Sequence, residues 1–383
     1  MTPIPLSLYI HIPWCIRKCP YCDFNSHQAP LSEQNTGKSS EQSVPEKRPI
    51  ESIFIGGGTP SLFSAEAIDS LLAGLRERLP LRPSMEITLE ANPGTFEQER
   101  FSEYRKAGIN RLSIGVQIHD DQEAIKAAEI AKKAGFDNFN LDLMHGLPNQ
   151  TPEQALADLD QALKCKPTHI SWYQLTIEKN TLFHHSPPVL PNDEVLWDIQ
   201  EKGQELLHLA GYEQYEVSAY AQGRSKTGTR QNRQCRHNIN YWEFGDYVGI
   251  GAGAHGKVTQ PDGSITRHQK FRHPAEYMEK AIQGMARSST STLEEKDKIF
   301  EFMLNALRLK EGFSADLFEQ RTHLPFSTIE PIINSAIDKK LMQSRLCITT
   351  EEGIHPTTSQ TQEKFATSEK GWVFLNDVME MFL

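Results

Sequence analysis

The 383-residue chain has no apolar run approaching the roughly 18 residues needed to span a bilayer, so a membrane-spanning helix is not expected. The stretch from Leu6 to Ile12 carries His11, lacks a basic leader and is flanked by prolines. It does not read as a secretory signal, and a cytoplasmic protein is expected. An excess of positive charge is missing as well: 40 Lys+Arg against 50 Asp+Glu leave a net charge of −10. That balance excludes a broad phosphate-binding surface, so nucleic acid is not an expected partner, although a local basic patch is compatible with it. Cysteine is scarce, and three of the six crowd together as Cys15, Cys19 and Cys22, while Cys165, Cys235 and Cys347 are scattered. Such clustering argues against a disulfide framework and suits metal ligation in a reducing compartment.

What is present is enough apolar material, 38% of residues before glycine is counted, for a sizeable core. The length fits one large domain plus a smaller one. From Ser7 to Thr176 short β-rich runs alternate with segments of helical period. The expected strands are Ser7 to Ile12, Ser52 to Ile55, Met85 to Ala91, Arg111 to Val116, Asn138 to Leu143 and Ile170 to Thr176. Between them Ser64 to Leu79, Phe96 to Ala107, Gln122 to Ala134 and Thr151 to Lys164 read as helices, with Ser64 and Thr151 as N-caps and Gly108 and Gly135 as stops. Six parallel strands with helical crossovers imply an α/β fold, a closed or partial β/α barrel whose chemistry sits where strands end. The crossover at residues 28–49 is polar and aperiodic and reads as an exposed loop.

After Pro191 a helical segment runs to Ala210, a strand follows at Tyr215 to Ala219, and Arg224 to Gly256 is rich in Arg, Asn, Tyr and Gly. Pro274 and Thr292 open further helices. Helical segments at Leu293 to Leu309, Ser314 to Glu319 and Ser327 to Lys339 precede two short runs, Ser344 to Thr349 and Gly353 to Pro356. Three helices and a hairpin resemble a winged-helix unit; without a basic run on the third helix it reads as a packing appendage. The expected divisions are 1–190, 191–290 and 291–383.

Cys15-x3-Cys19-x2-Cys22 follows the first strand directly, so three thiolates converge from one loop at the barrel mouth. Three sulfurs can hold three irons of a cubane and leave the fourth open to a chelating ligand. A zinc site, which wants a fourth protein ligand, and idle thiols are the alternatives. After the second strand, Gly56-Gly57-Gly58-Thr59-Pro60 lets backbone groups approach a ligand closely. Glu90 and Asp142, at the ends of strands three and five, can accept from ribose hydroxyls or an amino group.

The cysteine spacing, with Tyr21 before the last ligand, resembles the radical S-adenosylmethionine (SAM) superfamily. The segments LYIHIPWCIRKCPYCDFNSH, SIFIGGGTPS, EITLEANPG, NRLSIGVQ, NFNLDLMHGLPNQT and RHNINYWEFGDYVGIGAGAHG are similar to the HemW haem-chaperone family, in the branch that also holds oxygen-independent coproporphyrinogen oxidase. The resemblance implies a partial (β/α)6 TIM-like radical SAM barrel with a C-terminal helical, winged-helix-like domain. It implies a [4Fe-4S] cluster on Cys15, Cys19 and Cys22, whose open iron takes SAM, and reductive cleavage of SAM to a deoxyadenosyl radical. It places Gly57, Gly58 and Thr59 at the SAM amino group, Tyr9 against cluster and SAM, and Glu90, Gln117 and Asp142 on the sugar and methionine parts. Phe24 stands where coproporphyrinogen oxidases carry another cysteine. His237 and Tyr241, within His237-Asn238-Ile239-Asn240-Tyr241-Trp242, match the family's HNxxYW motif and would serve as axial haem ligand and stacking partner.

The implied function is a haem chaperone serving haem-accepting membrane proteins of the respiratory type, and a homodimer is compatible with it. The alternatives are a radical SAM oxidoreductase acting on coproporphyrinogen III or a related tetrapyrrole, and a scaffold that keeps only the fold. One departure stands out: Gln117 runs straight into Ile118-His119-Asp120, so the family's Gly-Arg-x-His loop, whose arginine holds the SAM carboxylate, is missing. A charge-assisted contact of that kind is worth roughly 1.5–3 kcal/mol, or about one to two powers of ten in SAM affinity. Other residues keep two readings: His184-His185 as surface loop or metal pair, His255 and Cys235 as ordinary or near haem, and Arg224, Lys226, Arg230, Arg233 and Arg236 as solvated or paired with propionates. Gly249 to Gly256 has no Rossmann setting and is not a dinucleotide loop.

Overall fold

The computed structural model describes residues 3–29, 48–92, 98–116, 121–223, 232–350 and 359–383. The expected alternation is there: β1 (Leu6–Ile12), β2 (Ile50–Gly57), α1 (Ala65–Arg78), β3 (Leu81–Ala91), α2 (Gln98–Ala107), β4 (Arg111–Gly115), α3 (Asp121–Lys133), β5 (Phe139–His145), α4 (Pro152–Lys164) and β6 (His169–Gln174). Neighbouring strands from β1 to β6 pair in parallel. Ser64 caps α1 by accepting from the Ala67 N–H, and Thr151 forms a capping box with Gln154 at α4. Of the polar crossover at 28–49, residues 30–47 lie outside the described residues.

Side chains alternate along each strand, and here the alternation separates two chemistries. Leu8, Ile53, Leu89, Leu112, Leu141 and Ile170 turn outward into one apolar core with Leu72 of α1, Phe101 of α2, Ala127 of α3 and Leu159 of α4. Ser7, Ser52, Glu86, Arg111, Asn140 and His169 have the opposite parity, face the lumen and are buried. The barrel is therefore apolar outside its strands and polar within.

Six parallel strands and one further strand at Tyr215 to Ala219 were expected; among the described residues the main sheet has twelve. One edge is extended by a hairpin, β7 (Tyr212–Glu216) and β8 (Ala219–Gln222), where a single strand was expected at 215–219. Its second strand pairs antiparallel with β6. On the other edge β9 (Asp246–Ile250) lies parallel beside β1, and β10 (His255–Thr259), β11 (Ile265–Lys270) and β12 (Arg287–Thr292) continue antiparallel. The buried Asp246 carboxylate fixes this edge, accepting from Lys257 Nζ at 2.9 Å and Arg48 Nη1 at 2.8 Å. Helix α5 (Asp193–Leu209) packs on α4, and α6 (Arg236–Trp242) sits against β2.

Helix α7 (Pro274–Ile282) precedes β12; beyond that strand, α8 (Glu295–Ala306), α9 (Ala315–Thr322) and α10 (Glu330–Asp338) lead to the antiparallel hairpin β13 (Met342–Thr350) and β14 (Ser359–Thr367). The expected run at Gly353 to Pro356 lies outside the described residues; the pairing strand begins after it. This part has its own core, in which Phe302 meets Phe313 and Phe318 edge-on at 5.1 Å each. Phe244, just after α6, joins that core and links it to the barrel.

Candidate metal and cofactor site at the barrel mouth

β1 delivers the chain to the mouth, where residues 13–29 form the cysteine loop. Trp14–Cys15 pairs in parallel with His27–Gln28, so the loop closes on itself. It is tied to the glycine end of β2 by two backbone bonds, Gly58 N to Ile12 O at 2.6 Å and Thr59 N to Trp14 O at 2.7 Å. These short approaches leave no room for side chains: a Cβ on Gly58 would stand 2.4 Å from Trp14 O, and one on Gly57, whose φ is +112°, would stand 2.5 Å from the His11 ring. The other side of the loop is clasped by Asn25, whose amide donates to Ala252 O and Arg272 O, both at 2.9 Å. A Cβ on Gly253 would meet that amide at 2.4 Å. The glycine-rich segment after β9 is thus packing for the cysteine loop.

All three cysteines are free and half-buried. Burial pushes the Cys15 and Cys22 thiols up; Cys15 is raised further by Cys22 and Cys19, and Cys22 by Cys19. Opposing this, Thr59 and Ser26 favour the Cys15 thiolate, and the Phe24 N–H and Ser26 favour that of Cys22. The Ser26 hydroxyl is buried and has no partner within hydrogen-bond geometry. Metal-free, Cys15 and Cys22 are protonated thiols; loading metal displaces the protons. Among the described residues no three His, Cys, Asp or Glu stand close enough to share one ion. Ligands of a single zinc can be no more than about 4.6 Å apart. Cysteines that each take a different iron have no such limit, so the loop fits a cubane better than zinc.

Glu90 is the lumen residue nearest the end of β3. It accepts the Gly57 N–H at 2.9 Å, and burial, then the Asp142 charge, raise its carboxyl to about 7. Asp142 lies within β5, which runs three residues past it to His145. Its Oδ2 accepts from Ser113 Oγ at 2.6 Å, and Ser113 Oγ accepts from Asn140 Nδ2 at 2.9 Å. Asn140 Oδ1 can only accept, so His169 Nδ1, 2.6 Å away, carries a proton and Nε2 accepts from Tyr215 OH at 2.8 Å. A buried polar chain therefore runs from Asp142 down the lumen.

Tyr9 bonds His11 Nδ1 through its hydroxyl at 3.0 Å and stacks on Phe54 at 6.3 Å. Thr59 is buried and accepts from Asn92 Nδ2 at 3.1 Å. Tyr9, Gly57, Gly58, Thr59, Glu90 and Asp142 are thus brought to the mouth beside the cysteine loop. Phe24 is on that loop, but its side chain is 59% exposed and faces away. Gln117 and the altered loop after it lie outside the described residues, as do Arg224, Lys226 and Arg230. Sequence reasoning missed Tyr173 of β6, which lies within electrostatic reach of Asp142, Tyr21, Glu90 and Cys19. Its signal was lumen parity, shared with Ser171 and His169. A cavity of about 1150 Å³ opens beside Cys19 and Cys22, walled by Leu143, Leu147 and Phe183 with Lys18 at its edge.

His237 and Tyr241 are elsewhere. Helix α6 plugs the opposite end of the barrel, where the Arg236 N–H and Cys235 Sγ reach Glu86 Oε1 at 3.0 and 3.5 Å. His237 points up into the lumen, 9% exposed, with its ring 5.2 Å from Phe54 and 6.3 Å from Tyr9. Its Nδ1 is 3.3 Å from Ser52 Oγ, and burial, then Arg111, lower its pKa to about 4. Tyr241 packs against Tyr247 with the rings tilted at 41° and their centroids 5.1 Å apart. No porphyrin fits against His237 as it is placed, because the ring is walled in by side chains. Cys235 is buried with its thiol pushed up to about 12, by burial first and the Glu86 charge in part, and is inert at neutral pH. His255 is exposed at the start of β10, and His184 and His185 are exposed without a third ligand among the described residues.

A partial parallel barrel with a three-cysteine loop after its first strand defines the radical SAM class, and the model described as "Radical SAM superfamily" matches residues 9–162. A second, "HemN C-terminal domain", matches residues 293–359. Among solved structures, coproporphyrinogen III oxidase (HemN) from Escherichia coli, described as a radical SAM enzyme, superposes with a TM-score of 0.73 over 99% of this chain and 90% of that one, at 20% identity. The fold is shared. The chain is 48% identical to the haem chaperone HemW of Escherichia coli K12 and 46% identical to that of Haemophilus influenzae, in both cases over 99% of this chain and 98% of the relative. It belongs to the HemW family.

Proposed function

We propose that the protein is a cytoplasmic haem chaperone that holds a [4Fe-4S] cluster on Cys15, Cys19 and Cys22, binds SAM at the mouth, and delivers haem to haem-requiring membrane proteins of the respiratory type. The observation that carries this is the three-cysteine loop closed over the glycine end of β2, in a chain alike from end to end with haem chaperones. Among the described residues no helix is long and apolar enough to cross a membrane, which agrees with a carrier rather than a resident of the bilayer.

The chain's own residues divide the work. The three cysteines would hold three irons as thiolates, their protons released to solvent. The Gly57 and Gly58 backbone, Thr59 and the two carboxyls, Glu90 and Asp142, seat the methionine and ribose parts of SAM, with Tyr9 beneath and Gln117 assigned to the same ligand by family likeness. When bound, the cluster supplies an electron and an open iron position. Glu90, near neutrality in pKa, holds or releases a proton beside that seat. The sequence-level assignment of haem to His237 and Tyr241 needs α6 to withdraw from the barrel floor, and it is tested as such below.

The test is anaerobic reconstitution with iron and sulfide, haem titration, and transfer of the bound haem to an apo acceptor in vesicles. Stable haem uptake followed by transfer supports the reading; a reconstituted protein that takes up no haem overturns it. A second reading, a radical SAM oxidoreductase acting on coproporphyrinogen III or a related tetrapyrrole, is favoured by the cavity beside Cys19 and Cys22, which is of ligand size. Turnover of coproporphyrinogen with SAM and reductant would decide for it.

A further inference from the structure

The cysteine loop carries further features beside those that line the mouth. Ile16 and Phe24 are each 59% exposed, beside Cys15 and two residues after Cys22. Apolar side chains left in water next to a functional loop mark a contact surface. Beside them the His27 ring stands T-shaped to Trp14 at 6.2 Å and to His273 at 5.8 Å. His273 is exposed at the N-cap of α7, yet its imidazole makes no capping bond and no other hydrogen bond among the described residues. The Asn25 clasp holds the carbonyl of the preceding residue, Arg272, at 2.9 Å, so His273 is fixed against the loop. Lys18 and Arg272 are exposed within electrostatic reach of His27, and neither is in an ion pair among the described residues.

An apolar surface, an imidazole without a hydrogen bond and two cations outside any ion pair among the described residues, Lys18 bonded only to the Phe24 carbonyl at 3.3 Å, match one ligand chemistry: a flat apolar ring carrying a metal that takes nitrogen and carboxylates at its edge. We infer that haem docks on the outer face of the cysteine loop, with His273 as axial ligand, Ile16 and Phe24 against the porphyrin, and Lys18 and Arg272 at the propionates. The inference rests on the haem-chaperone reading and adds to it a seat separate from the HNxxYW helix. His273 can reach an external iron without rearrangement, whereas the His237 ring is enclosed by Phe54, Tyr9 and the strands of the barrel. The seat also puts the cargo over the loop that carries the three cysteines, on the side away from the lumen.

The test uses the full-length, reconstituted protein titrated with ferric haem, read by the Soret band and by low-temperature EPR of the haem iron. His273→Ala is expected to weaken binding at least about tenfold and to change the ferric spin-state signal, as loss of an axial ligand does. His237→Ala is expected to stay within about twofold of wild type, and an Ile16→Ser, Phe24→Ser pair to bind a few-fold more weakly with the spectrum retained. The iron–sulfur signal of each variant, unchanged, shows that the loop is intact. If His273→Ala binds like wild type with the same spectrum, or only His237→Ala loses haem, the inference is overturned while the chaperone reading stands. If wild type takes up no haem, the chaperone reading fails and this seat fails with it.

Discussion

At the mouth of the barrel the chain brings glycines, backbone amides and short loops into the lumen, whereas at the floor it brings the helix Arg236–Trp242 with its buried side chains. Both ends use the same strands and the same polar parity, but the mouth keeps space and the floor removes it. At the mouth the polar groups are left with spare capacity: three free thiols, the Ser26 hydroxyl beside two of them and the carboxyls of Glu90 and Asp142. At the floor Glu86 takes the N–H of Arg236 and the Cys235 thiol and faces the Arg111 guanidinium at 4.0 Å, an ion pair without a hydrogen bond through Nε. A buried polar lumen is costly unless its groups find partners. The difference teaches that polarity inside a barrel marks a site where the polar groups line open space rather than a plug.

Five substitutions put that contrast at risk. The largest effect is expected from Cys19→Ala, which should abolish the brown iron–sulfur chromophore and its EPR signal after reconstitution; a retained signal would remove the thiol trio from the account. Next is Arg111→Met at the floor. It leaves Glu86 buried without its cation and should cost roughly 3–5 kcal/mol in urea unfolding, and adding Glu86→Gln should recover part of the loss. If the single and double variants are equally unstable, the floor is not a paired network. Gly58→Ala drives a Cβ to 2.4 Å from Trp14 O and should cost about 2–3 kcal/mol while lowering iron uptake, unlike any change at the floor.

The fourth concerns protonation. Glu90 has its pKa raised in the folded protein to about 7, above the ordinary carboxyl value of 4.5. The folded state therefore holds a proton that the unfolded chain has released, and stability falls as pH rises from 4.5 to about 7 and then levels off. Integrated, that window is worth up to roughly 3 kcal/mol. Glu90→Gln should flatten this part of the stability profile; an unchanged slope would show that the proton sits elsewhere. The smallest effect is expected at His237, already neutral and held by one 3.3 Å contact to Ser52, whose hydroxyl also bonds Ser7 at 2.8 Å. His237→Phe should change stability by no more than about 1 kcal/mol.

The strands and their order were legible because local alternation writes them. Ser64 and Thr151 were readable as caps for the same reason, since a cap depends on neighbours three residues away. Cys15, Cys19, Cys22 and the Gly57–Gly58 turn were legible from spacing alone. The seventh parallel strand was not, because Asp246–Ile250 finds its place beside Leu6–Ile12 across most of the chain. Nor was the setting of His237: a short motif of polar and aromatic residues looks the same on a surface and inside a plug. The glycine-rich segment 249–256 could be denied a nucleotide, but its use as a bed for Asn25 depends on a contact spanning more than two hundred residues.

That contact orders events in time. Asn25 is anchored to carbonyls at positions 252 and 272, so a nascent chain that has not yet emerged past the second of them carries its three sulfurs on an unfastened ribbon. The clasp on the cysteine loop is therefore completed only after position 272 has emerged. Until that moment the thiols are open to oxidation, and the cell has to supply either reducing conditions or speed.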